Sequence, residues 1–217
     1  MLGVNDGLVS TLALLLGVAG AGSSASAVRI AGLASLVAGA ASLAVSQYIA
    51  GQTLVERGYR VAKELRAVDR LGKRDQASTL EQELIERGIG PASSHVIGDT
   101  LVTDPAKPST ILGMIRYGYK AGDRSSPLGS AWATLVASAA GALVPILPWF
   151  FAGGRNAVVE SLALSGIAAA IIGAILGAQS SGNWAFGAAR QVALVLLAAG
   201  VTYAIGLALQ AAGAFAR

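Results

Sequence analysis

The chain has 217 residues, 54% of them apolar and only 13% charged, about half the charged share of a soluble domain. With a mean hydropathy of +0.62, this composition argues against an ordinary cytosolic enzyme. It also argues against a disordered chain, which needs low hydrophobicity and high charge. The 16 Lys+Arg against 12 Asp+Glu give a net charge of +4, and the lack of cysteine removes disulfides, thiolate metal sites and cysteine catalysis.

The first 50 residues read as two membrane spans. A helix rises about 1.5 Å per residue, so a bilayer core of about 30 Å needs roughly 20 residues. Residues 1–21 and 28–50 meet that length. The first stretch lacks the basic start of a signal peptide and is interrupted by Asp6. A carboxylate inside a span costs about 2.5–3.5 kcal/mol, so it normally faces a cavity, a partner or an ion. Asp6 therefore has two readings: a cation- or proton-binding group in a pathway, with Ser10 one turn away, or a cap on the first helix at the cytosolic surface. Only about 24 Å separate it from Gly22 at helical rise. Ser35, Ser42, Ser46 and Gln47 are the polar groups of the second span, and such groups usually bond between helices.

Residues 51–127 hold twelve of the basic residues and ten of the acids. The basic-inside rule places this stretch, and the N-terminus, in the cytosol. The domain boundaries expected are 1–50 (two spans), 51–128 (a helical cytosolic insert) and 129–217 (three spans). In the insert, Leu54, Val61, Leu65 and Val68 share a helical face. Glu56–Arg60, Arg60–Glu64 and Asp69–Lys73 are i,i+4 pairs. Ser78 to Glu81 reads as a capping box opening a short helix that Gly88 ends. Pro91 begins another helix, and Pro105 and Pro108 bound a loop. Ile111, Leu112, Ile115 and Tyr119 form a further stripe. Three or four short helices and no strands are expected. Glu81, Glu83 and Glu86 lie on one helix and suit a hard divalent cation, although a solvated face is the commoner reason for such a cluster. Met114 is the only internal methionine and His95 the only histidine; packing and plain surface exposure are their ordinary roles.

Residues 129–152, 157–178 and 191–214 complete the five spans. Pro145 and Pro148 should kink the third near its outer end, with Trp149 at the lipid interface. Glu160 falls near the outer end of the fourth. Gly3–Gly7 and Gly173–Gly177 are GxxxG pairs, continued by Gly166, Ala170 and Ala174; they mark either tight helix contacts or a chance product of a Gly- and Ala-rich chain. No P-loop, HExxH or GxSxG is present, so no enzyme is expected. Basic residues interleaved with acids, and few aromatics, argue against nucleic acid. The reading is an all-α polytopic membrane protein.

Several segments resemble the vacuolar iron transporter family: Asn5-Asp6-Gly7-Leu8-Val9-Ser10 followed by Leu15-Leu16-Gly17-Val18-Ala19-Gly20-Ala21, then Ala31-Gly32-Leu33-Ala34-Ser35-Leu36-Val37-Ala38-Gly39-Ala40, then Gly141-Ala142-Leu143-Val144-Pro145-Ile146-Leu147-Pro148-Trp149 and Val201-Thr202-Tyr203-Ala204-Ile205-Gly206. The resemblance implies a homodimer of five-helix subunits in a lipid bilayer. It implies Fe²⁺ or Mn²⁺ as the transported ion, leaving the cytosol in exchange for protons, with no permanently bound cofactor. It puts Asp6, Ser10, Ser35 and Gln47 on the transport pathway, and Asp6, Glu81, Glu83, Glu86 and Met114 among the metal ligands. The chain also departs from the family. Where bacterial relatives read Ser-Met-Ala-x-Gly-Glu-Tyr, it reads Ser42-Leu43-Ala44-Val45-Ser46-Gln47-Tyr48, losing a thioether and a carboxylate. Ser35 replaces a glutamate of plant members, Gly90 and Ser93 stand where relatives place further glutamates, a terminal glutamate is replaced near Tyr117, and a family aspartate would precede Met1. These losses keep an alternative open: a different cargo, or a non-transporting interaction role. The Ala and Gly richness favours a bacterial plasma membrane as host.

Overall fold

The computed structural model describes residues 2–103, 108–117, 126–180 and 182–213. Its helices run α1 (Leu2–Gly20), α2 (Ala25–Val68), α3 (Lys73–Glu86), α4 (Pro91–Thr103), α5 (Pro108–Tyr117), α6 (Pro127–Ile146), α7 (Pro148–Phe151), α8 (Gly154–Ser180) and α9 (Trp184–Ala211). Among the described residues there is no strand. Five helices, α1, α2, α6, α8 and α9, are long and apolar enough to cross a membrane. The protein is an all-α polytopic membrane protein. The chain divides into two compact units, Met1–Tyr48 with Pro127–Arg217, and Ile49–Ser126.

In the first unit α1 is the central element. Leu8, Leu12, Leu15, Leu16 and Thr11 are buried, a spacing that puts them on one side of a 3.6-residue helix. Leu8, Leu12 and Leu16 pack with Ala169 and Ile172 of α8 and Val195 and Ala199 of α9. Leu15 joins Val28, Ile146, Trp149 and Ala157 in a second cluster. Lipid is as apolar as leucine, so close approach and dispersion, rather than escape from water, hold such helices together.

Glycines set those approaches. A Cβ at Gly7 would overlap the Ser138 carbonyl oxygen, and one at Gly141 would overlap that of Val4, so α1 and α6 touch backbone to backbone. A Cβ at Gly173 would lie 2.6 Å from the Gln191 Cβ, and one at Gly177 would lie 2.7 Å from the Asn183 carbonyl oxygen, which makes the same device of the α8–α9 crossing. Both GxxxG pairs are thus real contacts within one chain. Gly166 does not extend the second, having open space around its Cα. The buried face of α8 runs instead through Ala157, Ser161, Ser165 and Ala169. A third crossing, Gly17 and Gly20 against Thr202, Tyr203 and Gly206, carries no GxxxG signature.

Several local expectations need correction. Pro145 lies inside α6, which ends at Ile146, and a single turn of helix, α7, follows from Pro148. The Ser161 hydroxyl donates to the Pro145 carbonyl at 2.7 Å, an interhelical partner at the point where the proline pair breaks the ladder. Trp149 is 2% exposed: it fills the core beside Ile146 because α7 turns it inward, and it is not an interfacial anchor. The fifth span starts at Trp184, capped by the Asn183 side chain accepting from the Phe186 N–H at 3.0 Å. Arg190 is therefore inside the helix, its guanidinium 6.0 Å from the Phe186 ring centroid.

The second unit is built from the C-terminal part of α2 with α3, α4 and α5. Val61, Leu65, Leu80 and Leu112 form its core, with Val68 and Ile111 packed against it. Leu54 does not join them and is exposed. Tyr119 lies outside the described residues, as do Pro105 and the rest of its loop. The helix expected to open at Ser78 already starts at Lys73, and the Ser78 and Thr79 hydroxyls bond back to the Asp75 carbonyl at 3.0 and 2.7 Å. The capping box was a mid-helix Ser/Thr pair. Asp69 is not part of a helical ion pair either: it lies beyond α2 and caps α5, accepting from the Ser109 hydroxyl at 2.8 Å and its N–H at 3.4 Å. Gly88, with φ +87°, ends α3 as expected.

Candidate functional site in the cleft beside Asp6

Asp6 is the fifth residue of α1 and lies beyond its first turn, so it does not cap the helix. Gly7 and Leu8 are buried against neighbouring helices, which leaves Asp6, Ser10 and Leu14 exposed along one stripe at i, i+4, i+8. That stripe faces α2. Together they line an open cleft of about 560 Å³, with Ala31, Ala34, Ser35, Ala38, Gly39, Ser42 and Leu43 forming the opposite wall. Among the described residues Asp6 is the one ionisable group in the lining. The remaining polar atoms are hydroxyls. Ser10 donates to the Asp6 carbonyl at 2.6 Å, which satisfies its proton and leaves its lone pairs toward the cleft. Thr11 and Ser35 share a hydrogen bond of 3.3 Å across α1 and α2.

The wall owes its shape to small side chains. Alanine and glycine at every third or fourth position of α2 keep the cleft open, while toward the C-terminal end of α1 a Cβ at Gly32 would already meet Leu15 and Ile146. Chemically, the cleft offers one carboxylate and several hydroxyl oxygens, a set for a hard cation or a proton. Of the residues expected on the pathway, Asp6, Ser10 and Ser35 come together here. Gln47 does not: it is exposed and outside the cleft lining, which ends at Leu43.

The insert residues are arranged differently. Glu81 and Glu83 stand about 200° apart on α3, two residues apart at 100° each. Glu83 is buried and paired with Arg87 at 3.4 Å and Arg116 at 3.1 Å. Glu81 accepts from His95 at 3.0 Å, and the other ring nitrogen of His95 lies 3.9 Å from Asp99. The Glu81 hydrogen bond, and after it the charges of Glu81 and Asp99, hold the His95 pKa above its ordinary value. Glu86 accepts from Gln82 at 3.4 Å, and Met114 on α5 is half exposed. The three glutamates are not brought together, and among the described residues no group of three His, Asp or Glu side chains is placed to hold an ion.

One polar contact of α1 was not foreseen. The Gln191 amide of α9 donates to the Asn5 side-chain oxygen. Gln191 is 9% exposed; its signal in the sequence was a lone amide in an otherwise apolar span.

Comparison with known proteins identifies the family. The model of the VIT family matches residues 1–207. Vacuolar iron transporter 1 of Eucalyptus grandis is 32% identical over 197 residues, covering 90% of this chain and 78% of that protein. Vacuolar iron transporter 1 of Oryza sativa subsp. japonica is 28% identical over 212 residues, covering 97% and 84%. A VIT-like transporter 1b of Glycine max is 29% identical over 180 residues, 82% of this chain and 60% of that one. The expectation of a bacterial plasma membrane finds no support in these plant relatives, two of which are named for the vacuole. With a carboxylate-bearing cleft between its first two spans and a family match over nearly its full length, this chain belongs to the VIT family.

Proposed function

We propose that the protein carries a divalent metal ion, Fe²⁺ or Mn²⁺, across its membrane in exchange for protons, and that Asp6 is the group both bind in turn. The observation that carries this reading is the exposed Asp6 carboxylate in a cleft between two membrane helices, in a chain whose relatives bear the names of iron transporters. An anion held among apolar walls is costly unless a cation neutralises it. A proton does so on one side of the membrane. A metal ion does so on the other, with the hydroxyls of Ser10, Ser35 and Ser42 replacing part of its water shell. Protonation then discharges the ion, which couples the two flows.

Net neutrality also favours a homodimer. A divalent ion needs two negative charges, and one copy supplies one in the cleft. The basic residues of stretch 51–127 support a cytosolic insert and N-terminus by the basic-inside rule, and we read the transport as outward from the cytosol, in keeping with relatives named for the vacuole. The insert glutamates are not brought together, Glu83 being engaged by two arginines and Glu81 by His95, so the metal-binding role is assigned to the cleft and not to the insert. A second reading, a different cargo, is favoured by one observation: the cleft has Leu43 and hydroxyls where a thioether and further carboxylates would select Fe²⁺ or Mn²⁺.

The test is a pair of fluxes from one vesicle preparation. Proteoliposomes carrying the full chain, with a pH-sensitive dye and a metal-sensitive dye inside, should show Fe²⁺ or Mn²⁺ movement matched by opposite proton movement. Metal flux without proton movement would remove the exchange. No divalent flux under a pH gradient of either sign would remove the transport reading.

A further inference from the structure

Asn5 and Asp6 are neighbours on α1, about 100° apart around its axis. Their side chains do different things: Asp6 faces the α2 cleft, while Asn5 accepts from the Gln191 amide of α9. Gln191 is itself held. It is 9% exposed, and its stem is wedged at the α8–α9 crossing, where a Cβ on Gly173 would come within 2.6 Å of it. On another side, Gly3 and Gly7 press the same turns of α1 onto Thr134 and Ser138 of α6. The outer half of α1 is fixed separately, by Gly17 and Gly20 against α9. Glycine notches set how closely the inner half approaches its neighbours. They leave rotation to the directional contact, and an amide–amide hydrogen bond is directional.

We propose that Asn5 and Gln191 are positioning residues whose hydrogen bond fixes the rotation of the first turns of α1 and so keeps Asp6 in the cleft. This rests on the reading that Asp6 works there. Two neutral amides suit the task. Asp6 changes charge as it exchanges a proton for a metal ion, and a charged neighbour would be strengthened or weakened at each change. Amides do not titrate, so the aim of α1 stays constant through the cycle. In an apolar surrounding the pair loses if it parts, most of all at Gln191, which at 9% exposure has little access to water.

The chain contains no cysteine, so one introduced thiol is unique. In the full-length protein, the alkylation rate of Ser10→Cys reports the cleft face of α1 one turn from Asp6, and that of Leu14→Cys reports the same face farther out, nearer the Gly17 and Gly20 contacts. Gln191→Leu, or Asn5→Ala where that variant does not fold, should change the Ser10→Cys rate by about threefold or more and leave the Leu14→Cys rate in place. The double swap Asn5→Gln with Gln191→Asn, which restores an amide pair, should bring the Ser10→Cys rate back. In flux measurements Gln191→Leu should raise the KM for Mn²⁺ more than it lowers the maximal rate. An unchanged Ser10→Cys rate, or equal changes at both thiols, overturns the proposal. Labelling needs no transport, so a parent protein without metal flux would sink the transport reading and leave this one to be judged on its own.

Discussion

The fates of the four acidic residues expected to bind metal differ, and their surroundings explain why. Asp6 stands in a cleft whose lining, among the described residues, holds no cation. Glu83 already has two. Replacing Glu83 by Gln should destabilise the α3–α5 contact by about 1–2 kcal/mol, the discounted value of ion pairs whose arginines are half exposed; a melting curve of Glu83→Gln no lower than that of the parent would refute it. Glu81 sets the titration of His95. The folded-state pKa is raised, so the stability from this pairing is fully present below the unfolded pKa and is lost as pH rises through the folded one. Glu81→Gln should therefore return the His95 pKa toward the ordinary histidine value, read by NMR titration of the single imidazole. A pKa left raised would assign the effect to Asp99. Of these partners only Arg87, four residues after Glu83, was visible in the sequence; Arg116 and His95 reach α3 from other helices.

The helices were legible where hydrophobicity alone decides them and less so where packing does. Five apolar runs gave five membrane helices, since length and composition suffice for a span. Their ends moved: α9 starts at Trp184 because Asn183 caps it, a side-chain contact that hydropathy ignores. Likewise Ser78 looked like a cap but lies inside α3, since Lys73, Arg74 and Asp75 extend the helix backwards. The small residues could not be ranked without neighbours. Gly7 and Gly141 are indispensable in this geometry, and Gly7→Ala or Gly141→Ala should cost about 1–3 kcal/mol as α1 and α6 are forced apart. Gly200 has open space around it, and Gly200→Ala should be neutral or stabilise α9 by up to about 1 kcal/mol. Unfolding titrations of the three variants in one detergent check both statements, and equal effects at Gly7 and Gly200 would contradict them.

Taken together, the fold supplies a rigid side and an open side. α1 is clamped by glycine notches to α6 and α9, with Leu8, Leu12 and Leu16 packed among α8 and α9. Toward α2 it leaves a cleft with small-residue walls and, among the described residues, one ionisable side chain. The sequence showed the charge, since an aspartate in an apolar run stands out, but not the cleft, which needs Ala34, Ala38 and Gly39 to face Ser10 across a gap. Gln47 shows the converse: a polar residue in a span, expected in the pathway, that the turn of α2 leaves outside the cleft. Among the described residues of the cleft, Asp6 is the side chain whose chemistry suits both a proton and a metal ion, so the most direct test is the initial rate of pH-driven Fe²⁺ or Mn²⁺ movement in proteoliposomes of the parent and of Asp6→Asn at equal protein. The variant should fall to the leak of protein-free vesicles, and a variant that moves the ion as fast as the parent would contradict the role given to Asp6.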